Sequence, residues 1–189
     1  MIYVGIDPGA SGAWAALGIG DVGLPVAMAG LRCLGVEPTA ANAVNQPPLA
    51  VAPLPLDAYG GIDVRRLREC WAGFPRDETI VVIEKAQSMP GNGGSAMFTY
   101  GKGVGRIEAL LLLEGWRFEE VRPTTWKNVV LRDTAKDKAA AIDYVTRVFP
   151  GVSLLPTPRS KKPHDGMADS LCLAEYGRRA YGAVSGPTP

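Results

Sequence analysis

Four acidic residues have neighbours and spacings that suit the binding of metal ions: Asp7, Glu84, Asp165 and Asp169. Phosphodiester hydrolysis with two metal ions needs several carboxylate oxygens that converge on cations about 3.5–4 Å apart, and Mg²⁺ prefers such hard ligands. Asp7 and Glu84 each end an apolar run that is typical of a buried strand. Asp165 and Asp169 lie four residues apart, on one face of a predicted helix. The set predicts a two-metal hydrolytic site.

Each of these acids also has a simpler structural interpretation. Asp7 opens an Asp-Pro-Gly turn, and turn aspartates outnumber catalytic ones. Asp165 suits the N-cap of the last helix, and Lys85 is a candidate ion-pair partner that would offset the cost of burying Glu84. Asp169, among small and apolar neighbours, is harder to explain in this way. The hypothesis therefore depends on the combination.

The only histidine, His164, stands directly before Asp165. An imidazole titrates near neutral pH, so it can bind a metal ion or act as a general base toward water. It can equally be an ordinary loop residue. The sequence leaves all three alternatives open.

The elements that would position these residues follow from apolar periodicity and turn residues. Strands are predicted at residues 1–6, 13–19, 50–53, 79–84 and 116–121. Helices are predicted at 63–72, 95–114, from 124–125, at 135–148 and at 165–181. A leading hairpin followed by alternating helices and strands indicates one mixed α/β, three-layer domain over residues 1–184. Residues 21–48 are expected to form a loop insertion, 151–163 a loop and 185–189 a flexible tail.

Composition indicates an ordinary globular domain, with 47% apolar and 21% charged residues in 189. The apolar runs are too short to cross a membrane and the N-terminus lacks signal-peptide features, so an intracellular protein without membrane contact is expected. Cys33, Cys70 and Cys172 are widely spaced without a CxxC pair. This argues against both a disulfide framework and a thiolate zinc site.

Positive charge is concentrated in the second half of the chain. Residues 1–95 carry 6 Lys/Arg against 9 Asp/Glu, whereas residues 96–189 carry 14 against 10. Much of the excess belongs to Lys127, Arg132, Lys136, Lys138, Arg159, Lys161 and Lys162. This cluster can neutralise phosphates, although charge alone favours ordinary solvated lysines.

Three segments resemble the acidic motifs of RuvC-type Holliday junction resolvases, in the same order along the chain. They are Ile2-Tyr-Val-Gly-Ile-Asp-Pro-Gly-Ala-Ser-Gly12, Val81-Val-Ile-Glu-Lys85 and His164-Asp-Gly-Met-Ala-Asp-Ser-Leu171. The resemblance covers nearly the whole chain except residues 21–48. It is closest to the phage and chloroplast branches, because Pro123-Thr-Thr-Trp-Lys127 and Lys161-Lys162 are similar to those branches.

The resemblance implies an RNase H-like fold, a homodimer and paired symmetric nicking of a four-way DNA junction. It also implies Mg²⁺ or Mn²⁺, two ions per site, and no organic cofactor. Asp7 and Glu84 match the first two acidic ligands and Asp169 the last, while the remaining position matches Asp165 or His164. Lys127 and Lys138 match basic residues that contact DNA. Further candidates for DNA contact are Lys102, Arg106, Lys136, Lys161 and Lys162.

The predicted helix at 95–114 carries Gly101, Gly103 and Gly105. They permit close approach of a partner helix or of DNA, or simply packing onto the sheet of the same chain. Three residues near the loop that follows Glu84 are candidates either for apolar wedges in an opened DNA junction or for the hydrophobic core. They are Met89, Phe98 and Tyr100.

Three other classes compete with a junction resolvase. An actin-like ATPase or sugar kinase also has an Asp-x-Gly turn in a first hairpin, but it needs two related domains and a second phosphate loop. A catalytically silent DNA-binding module is disfavoured because every candidate ligand is present. An RNase H-like nuclease that acts on other branched DNA or on RNA stays open, since no residue can be assigned to a 2′-hydroxyl.

Overall fold

The computed structural model describes residues 1–9, 11–18, 49–87, 93–135 and 138–182. Several of the expectations fall on residues outside these ranges, namely the insertion at 21–48, the tail at 185–189, Cys33, Met89 and Lys136. Within the described ranges, none of the helices combines the length and apolar character that a membrane crossing requires.

The sheet begins with the predicted hairpin. Strand β1 (Ile2–Asp7) pairs antiparallel with β2 (Ala13–Gly18), and β3 (Leu49–Pro53) pairs antiparallel with β2. The hairpin turn is tight at Gly12, where a Cβ atom would lie 2.6 Å from the carbonyl oxygen of Asp7. Glycine is therefore the residue that lets the chain reverse directly after Asp7.

Two parallel strands extend the sheet on the other side of β1. Strand β4 (Thr79–Glu84) lies next to β1, and β5 (Arg117–Val121) lies next to β4, which gives the order β3-β2-β1-β4-β5. Ile6 pairs with Ile83 in the parallel register. Asp7 and Glu84 are the residues that follow this pair, so neighbouring strands end in carboxylates at the same edge of the sheet.

Five helices flank this sheet in the described part of the chain. They are α1 (Val64–Cys70), α2 (Gly94–Leu113), α3 (Pro123–Val130), α4 (Lys138–Val148) and α5 (Asp165–Tyr181). Asp63 caps α1 as predicted, because its carboxylate accepts hydrogen bonds from two backbone N–H groups of the first turn. Gly115, at φ 69°, supplies the left-handed residue that follows α2.

The two faces of the sheet bury two separate cores, which confirms the three-layer prediction. Helices α1 and α2 cover one face, where Trp71 meets Trp14 and Trp116 edge to face, with ring centroids 6.0 and 5.8 Å apart. Helices α3, α4 and α5 cover the other face. Helix α5 lies directly on β1 because Gly5 has no side chain, and a Cβ there would overlap the helix backbone at Ser170.

The predicted elements are confirmed, with differences at their ends. Trp116 precedes β5 instead of opening it, and Ala135 lies outside the described part of α4. Cys70 and Cys172 are both free and buried. Burial in an apolar setting raises the pKa of Cys70 to about 11, so this thiol is inert at neutral pH.

Candidate metal centre

The alternation of side chains along a strand decides which face of the sheet carries Asp7 and Glu84. Ile6 packs into the core beneath α1 and α2. Asp7, one residue on, therefore points to the opposite face, the face on which Gly5 meets α5. Val82 belongs to the core on that same face, and Glu84 lies two residues further. Both strand carboxylates are thus presented toward α5.

The first turn of α5 meets the hairpin at Gly166. A Cβ atom on Gly166 would overlap the backbone carbonyl of Ser11 and would lie 2.9 Å from Oδ2 of Asp7. Only glycine allows the helix to approach the carboxylate this closely. Asp165 and Asp169, both half-buried, come from this part of the helix.

The four candidate acids influence one another electrostatically. Burial raises the pKa of Asp7 to about 7, and the negative charges of Glu84, Asp169 and Asp165 contribute in the same direction. The N–H of Gly9, 3.0 Å from Oδ1, opposes these effects. Three acids that are widely separated from Asp7 in the sequence thus lie near enough in the fold for their charges to act on it.

Glu84 has a different partner from the one suggested by the sequence. Burial raises the pKa of Glu84, while a hydrogen bond from Trp126 and the positive charge of Lys127 lower it. The indole Nε1 of Trp126 donates to Oε2 of Glu84 at 2.7 Å. The expectation that Lys85 pairs with Glu84 is wrong, because adjacent strand residues point to opposite faces. Lys85 instead lies 3.7 Å from Glu120.

Two side chains of this site were not foreseen as parts of it. Trp126 is fully buried on α3, and its position beside Lys127 was the only signal in the sequence. Tyr100 on α2 has its pKa raised to about 12 by burial and by the charges of Glu84 and Asp7. No pattern in the sequence connects Tyr100 with the acids, because α2 belongs to the opposite layer.

His164 is the N-cap of α5. Its Nδ1 accepts a hydrogen bond from the backbone N–H of Met167 at 3.2 Å, which implies that the proton of the neutral ring is on Nε2. The alternative in which Asp165 is the cap is wrong, since Asp165 is already the first residue of the helix. Its carboxylate therefore lies within the first turn, where the helix dipole favours negative charge.

The candidate DNA-contacting residues differ in their surroundings. Lys127 is half-buried beside Glu84, and Lys138 is the first residue of α4. Arg106 is engaged within the chain, because its Nη1 lies 3.0 Å from both Oδ2 of Asp57 and the carbonyl oxygen of Ile62. The exposed lysines of the set are Lys102, Lys161 and Lys162.

The acids offer the right type of ligand for a hard divalent cation, but their oxygens are not yet gathered around one point. As they stand, no three His, Cys, Asp or Glu side chains in the described ranges are arranged to hold a metal ion. Oδ1 of Asp7 is bonded to the N–H of Gly9, and Oε2 of Glu84 to Trp126. The donor chemistry nevertheless fits Mg²⁺.

Comparison with known proteins identifies the fold. No family model and no curated protein sequence matches the chain. The fold is that of the RuvC-type resolvases, within the RNase H-like α/β class, which confirms the predicted class.

Two solved structures of RuvC from Thermus thermophilus support this assignment. The structure in complex with a Holliday junction substrate has 13% identity and a TM-score of 0.54, over 96% of this chain and 97% of that one. A second RuvC structure has 16% identity and a TM-score of 0.53, over 95% and 96%. Identities this low establish the fold alone.

Proposed function

We propose that this chain is a structure-selective endodeoxyribonuclease that cuts four-way DNA junctions by metal-dependent phosphodiester hydrolysis. The observation that carries this proposal is that Asp7 and Glu84 end neighbouring strands of a sheet with the RuvC fold, and that Asp165 and Asp169 lie near enough for their charges to act on Asp7. We take residues 1–184 as one nuclease domain, with 21–48 as an insertion in it.

The chain's own residues have distinct parts in this chemistry. The four carboxylates would hold two Mg²⁺ or Mn²⁺ ions, which supply an activated water and stabilise the leaving oxygen. Trp126 holds the carboxylate of Glu84 in position through its indole N–H. Lys127 brings positive charge beside Glu84, where a phosphate would approach. His164 caps the helix that carries the remaining acids and stays a candidate ligand or base.

Two observations favour branched DNA as the substrate. One of the solved structures with this fold is RuvC in complex with a Holliday junction substrate. In this chain, Lys161 and Lys162 are exposed in the segment that leads to His164. Phosphate contacts from such lysines attract and position nucleic acid without reading its sequence.

Paired nicks require two active sites related by two-fold symmetry, so we propose a homodimer. Helix α2 offers a suitable face. Gly101 and Gly105, four residues apart, are exposed, and a Cβ on either would meet nothing within 4 Å. Leu112 falls on the same face, two turns beyond Gly105 and three turns beyond Gly101, and is 68% exposed, and the adjacent Leu113 is 87% exposed. Small and apolar residues in this arrangement suit close packing of two helices.

The dimer proposal is tested by introducing charged residues on that face of α2. Leu112→Glu and Leu113→Glu together are expected to give a monomer in sedimentation velocity and to replace paired nicks with unpaired ones. Glu69→Gln, an exposed change on α1, serves as the control that leaves the dimer intact. A monomeric wild-type protein that still nicks in pairs would contradict this interface.

The nuclease proposal is tested with synthetic DNA. Purified protein with Mg²⁺ is expected to nick four-way junctions in symmetric pairs, whereas linear duplex of the same sequence stays intact. Glu84→Gln is expected to abolish cutting and to leave junction binding in place. Equal cutting of linear duplex, or full activity of Glu84→Gln, would contradict the proposal.

The same assay separates the competing functions. Cutting of other branched DNA or of RNA in preference to four-way junctions would favour a different RNase H-like nuclease. ATP hydrolysis without any cutting would favour the actin-like class. The five described strands form a single sheet, whereas an actin-like ATPase requires two related domains around its nucleotide.

A further inference from the structure

A cleft of about 920 Å³ lies on the side of α2, and its lining includes Pro8 and His164, the sequence neighbours of the candidate acids Asp7 and Asp165. Its walls include residues of the hairpin turn, of α2, of the cap of α5 and of the segment between β3 and α1. Prominent among them are Pro8, Tyr59, Phe98, Tyr100, Lys102 and His164. The volume is within the range of roughly 300–1,000 Å³ that is usual for ligand pockets.

The segment at residues 56–62, which we call the Tyr59 loop, is a small hairpin with an exposed ring near its tip. Leu56 and Ile62 form an isolated antiparallel bridge at its base. Gly60 has φ 77°, a conformation that favours glycine, and closes the turn. Tyr59 is 98% exposed. The chain therefore holds a large aromatic side chain in solvent at the edge of the cleft.

The Tyr59 loop is fixed by Asp57. Oδ1 of Asp57 accepts hydrogen bonds from the N–H groups of Tyr59 at 2.9 Å and Gly61 at 2.8 Å. Oδ2 pairs with Nη1 of Arg106 on α2 at 3.0 Å. A Cβ on Gly61 would overlap this guanidinium, so a larger residue would require Arg106 to shift. These bonds tie the loop to the helix that forms the opposite wall.

The cleft has the chemistry of a site for a base and its phosphate. The carboxylate of Asp57 is neutralised by Arg106, whereas Lys102 is an exposed cation on the wall. Aromatic side chains give any nucleobase a face to stack on, and a neighbouring lysine attracts the phosphate. In a continuous duplex both faces of a base are covered by its neighbours. Only an unstacked base can meet Tyr59.

We propose that the Tyr59 loop is a stacking platform for one unstacked base of branched DNA, bound in the cleft beside the carboxylates. The proposal rests on the nuclease function, because that function brings a branch point to this edge of the sheet. Asp57 and Arg106 are positioning residues that hold the loop, and Arg106 acts through this ion pair and not by contacting phosphate.

The test uses synthetic four-way junctions that carry 2-aminopurine at one nucleotide near the branch point. The binding is measured in EDTA, so that no strand is cut. In the complex with wild-type protein, the ring of Tyr59 is expected to quench the fluorescence that 2-aminopurine at one position would otherwise gain on leaving the base stack. Tyr59→Ala is expected to lose this quenching, so that its complex is brighter at that position, and to bind the junction about tenfold more weakly. Tyr59→Phe, which keeps the ring, should behave as wild type.

A second variant tests the positioning role. Asp57→Ala releases both the loop and Arg106. If the ion pair positions the loop, quenching decreases and binding weakens. If Arg106 instead contacts DNA, its release strengthens binding, and the assigned role of the ion pair is wrong.

Two outcomes would overturn the stacking proposal. One is unchanged quenching and affinity in Tyr59→Ala. The other is a change of association state in Tyr59→Ala by sedimentation velocity, with DNA binding unaltered, which would make the cleft a protein contact. The nuclease proposal is judged separately, by whether wild-type protein with Mg²⁺ nicks the unlabelled junction. Stacking by Tyr59 without any nicking would refute the nuclease proposal and support the platform.

Discussion

Two acids packed near opposite ends of helix α5, Glu175 on the helix itself and Asp7 on β1, differ in the charges that surround them. Glu175, near its C-terminal end, is only 3% exposed, yet its pKa is lowered, because hydrogen bonds from Arg178 and Arg179 outweigh the effect of burial. The guanidinium nitrogens of Arg178 lie 2.6 and 2.7 Å from its oxygens. At the other end of the helix, the pKa of Asp7 is raised to about 7.

The comparison teaches that burial by itself does not identify a functional acid. Glu175 is more buried than Asp7, but two arginines compensate its charge, and one of them also ties α5 to neighbouring helices. Arg179 donates to the carbonyl oxygen of Val129 on α3 and to the hydroxyl of Tyr144 on α4. The charges that act on Asp7 are mainly those of other acids. A divalent cation would neutralise this uncompensated negative charge.

The largest expected effect is a difference in nicking activity between variants of Asp7 and of Glu175. Asp7→Asn is expected to reduce junction nicking at least about a thousandfold, as is typical when a group of the reacting centre is lost. Glu175→Gln, a matched removal of one charge on the structural acid, is expected to leave nicking per folded molecule unchanged. Initial nicking rates, normalised to the folded fraction by circular dichroism, provide the measurement. Similar losses of nicking in both variants would contradict the distinction between a functional Asp7 and a structural Glu175.

The second prediction concerns stability without metal. Between its ordinary pKa of 3.8 and about 7, folded Asp7 keeps a proton that the unfolded chain has lost, so this residue lowers wild-type stability as pH rises through that window. Asp7→Asn should therefore be more stable than wild type at pH 8, by up to about 4 kcal/mol. The difference should vanish near pH 4. Urea unfolding in EDTA at both pH values measures it, and equal stability at pH 8 would contradict the raised pKa.

The third prediction is that substitution of the structural acid Glu175 lowers the stability of the fold, whereas substitution of Asp7 raises it. Glu175→Gln should destabilise the fold by about 2 kcal/mol, less than the loss of a fully buried pair, because its arginines are more than one third exposed. Since the pKa of Glu175 is lowered in the folded state, its contribution is lost as pH falls through that pKa. Urea unfolding at pH 8 and at pH 3 is the measurement. An unchanged midpoint at pH 8 would show that the arginines do not stabilise this acid.

The smallest expected effect tests the positioning of Glu84. Trp126→Phe removes the indole N–H that lowers the pKa of Glu84. The nicking rate should fall about tenfold at low pH. The low-pH limb of the pH–rate profile should move to higher pH. Trp71→Phe, equally buried on the other face of the sheet, is the matched control and should not move this limb. A uniform loss at all pH values would indicate a packing defect instead.

Most of the fold could be predicted from local patterns. The apolar run at Thr79–Glu84 and the cap residue Asp63 carry their own signals, because burial of alternate residues and capping act over a few residues. The predicted helix starts at residues 135 and 95 differ from the described ones at Lys138 and Gly94, since helix ends depend on contacts that the sequence does not specify. The alternative in which Lys85 pairs with Glu84 fails because adjacent residues of a strand point to opposite faces.

The identity and order of the acids follow from the sequence, since the residue type and the strand or helix around each are local properties. The side chains that accompany them depend on the folded chain: Trp126 from α3 and Tyr100 from α2 come to the acids from opposite layers. The folded chain also gives Asp7 a raised pKa and Glu175 a lowered one. The pKa of a buried acid depends on the charges packed around it, and those come from elements that only the folded chain brings together.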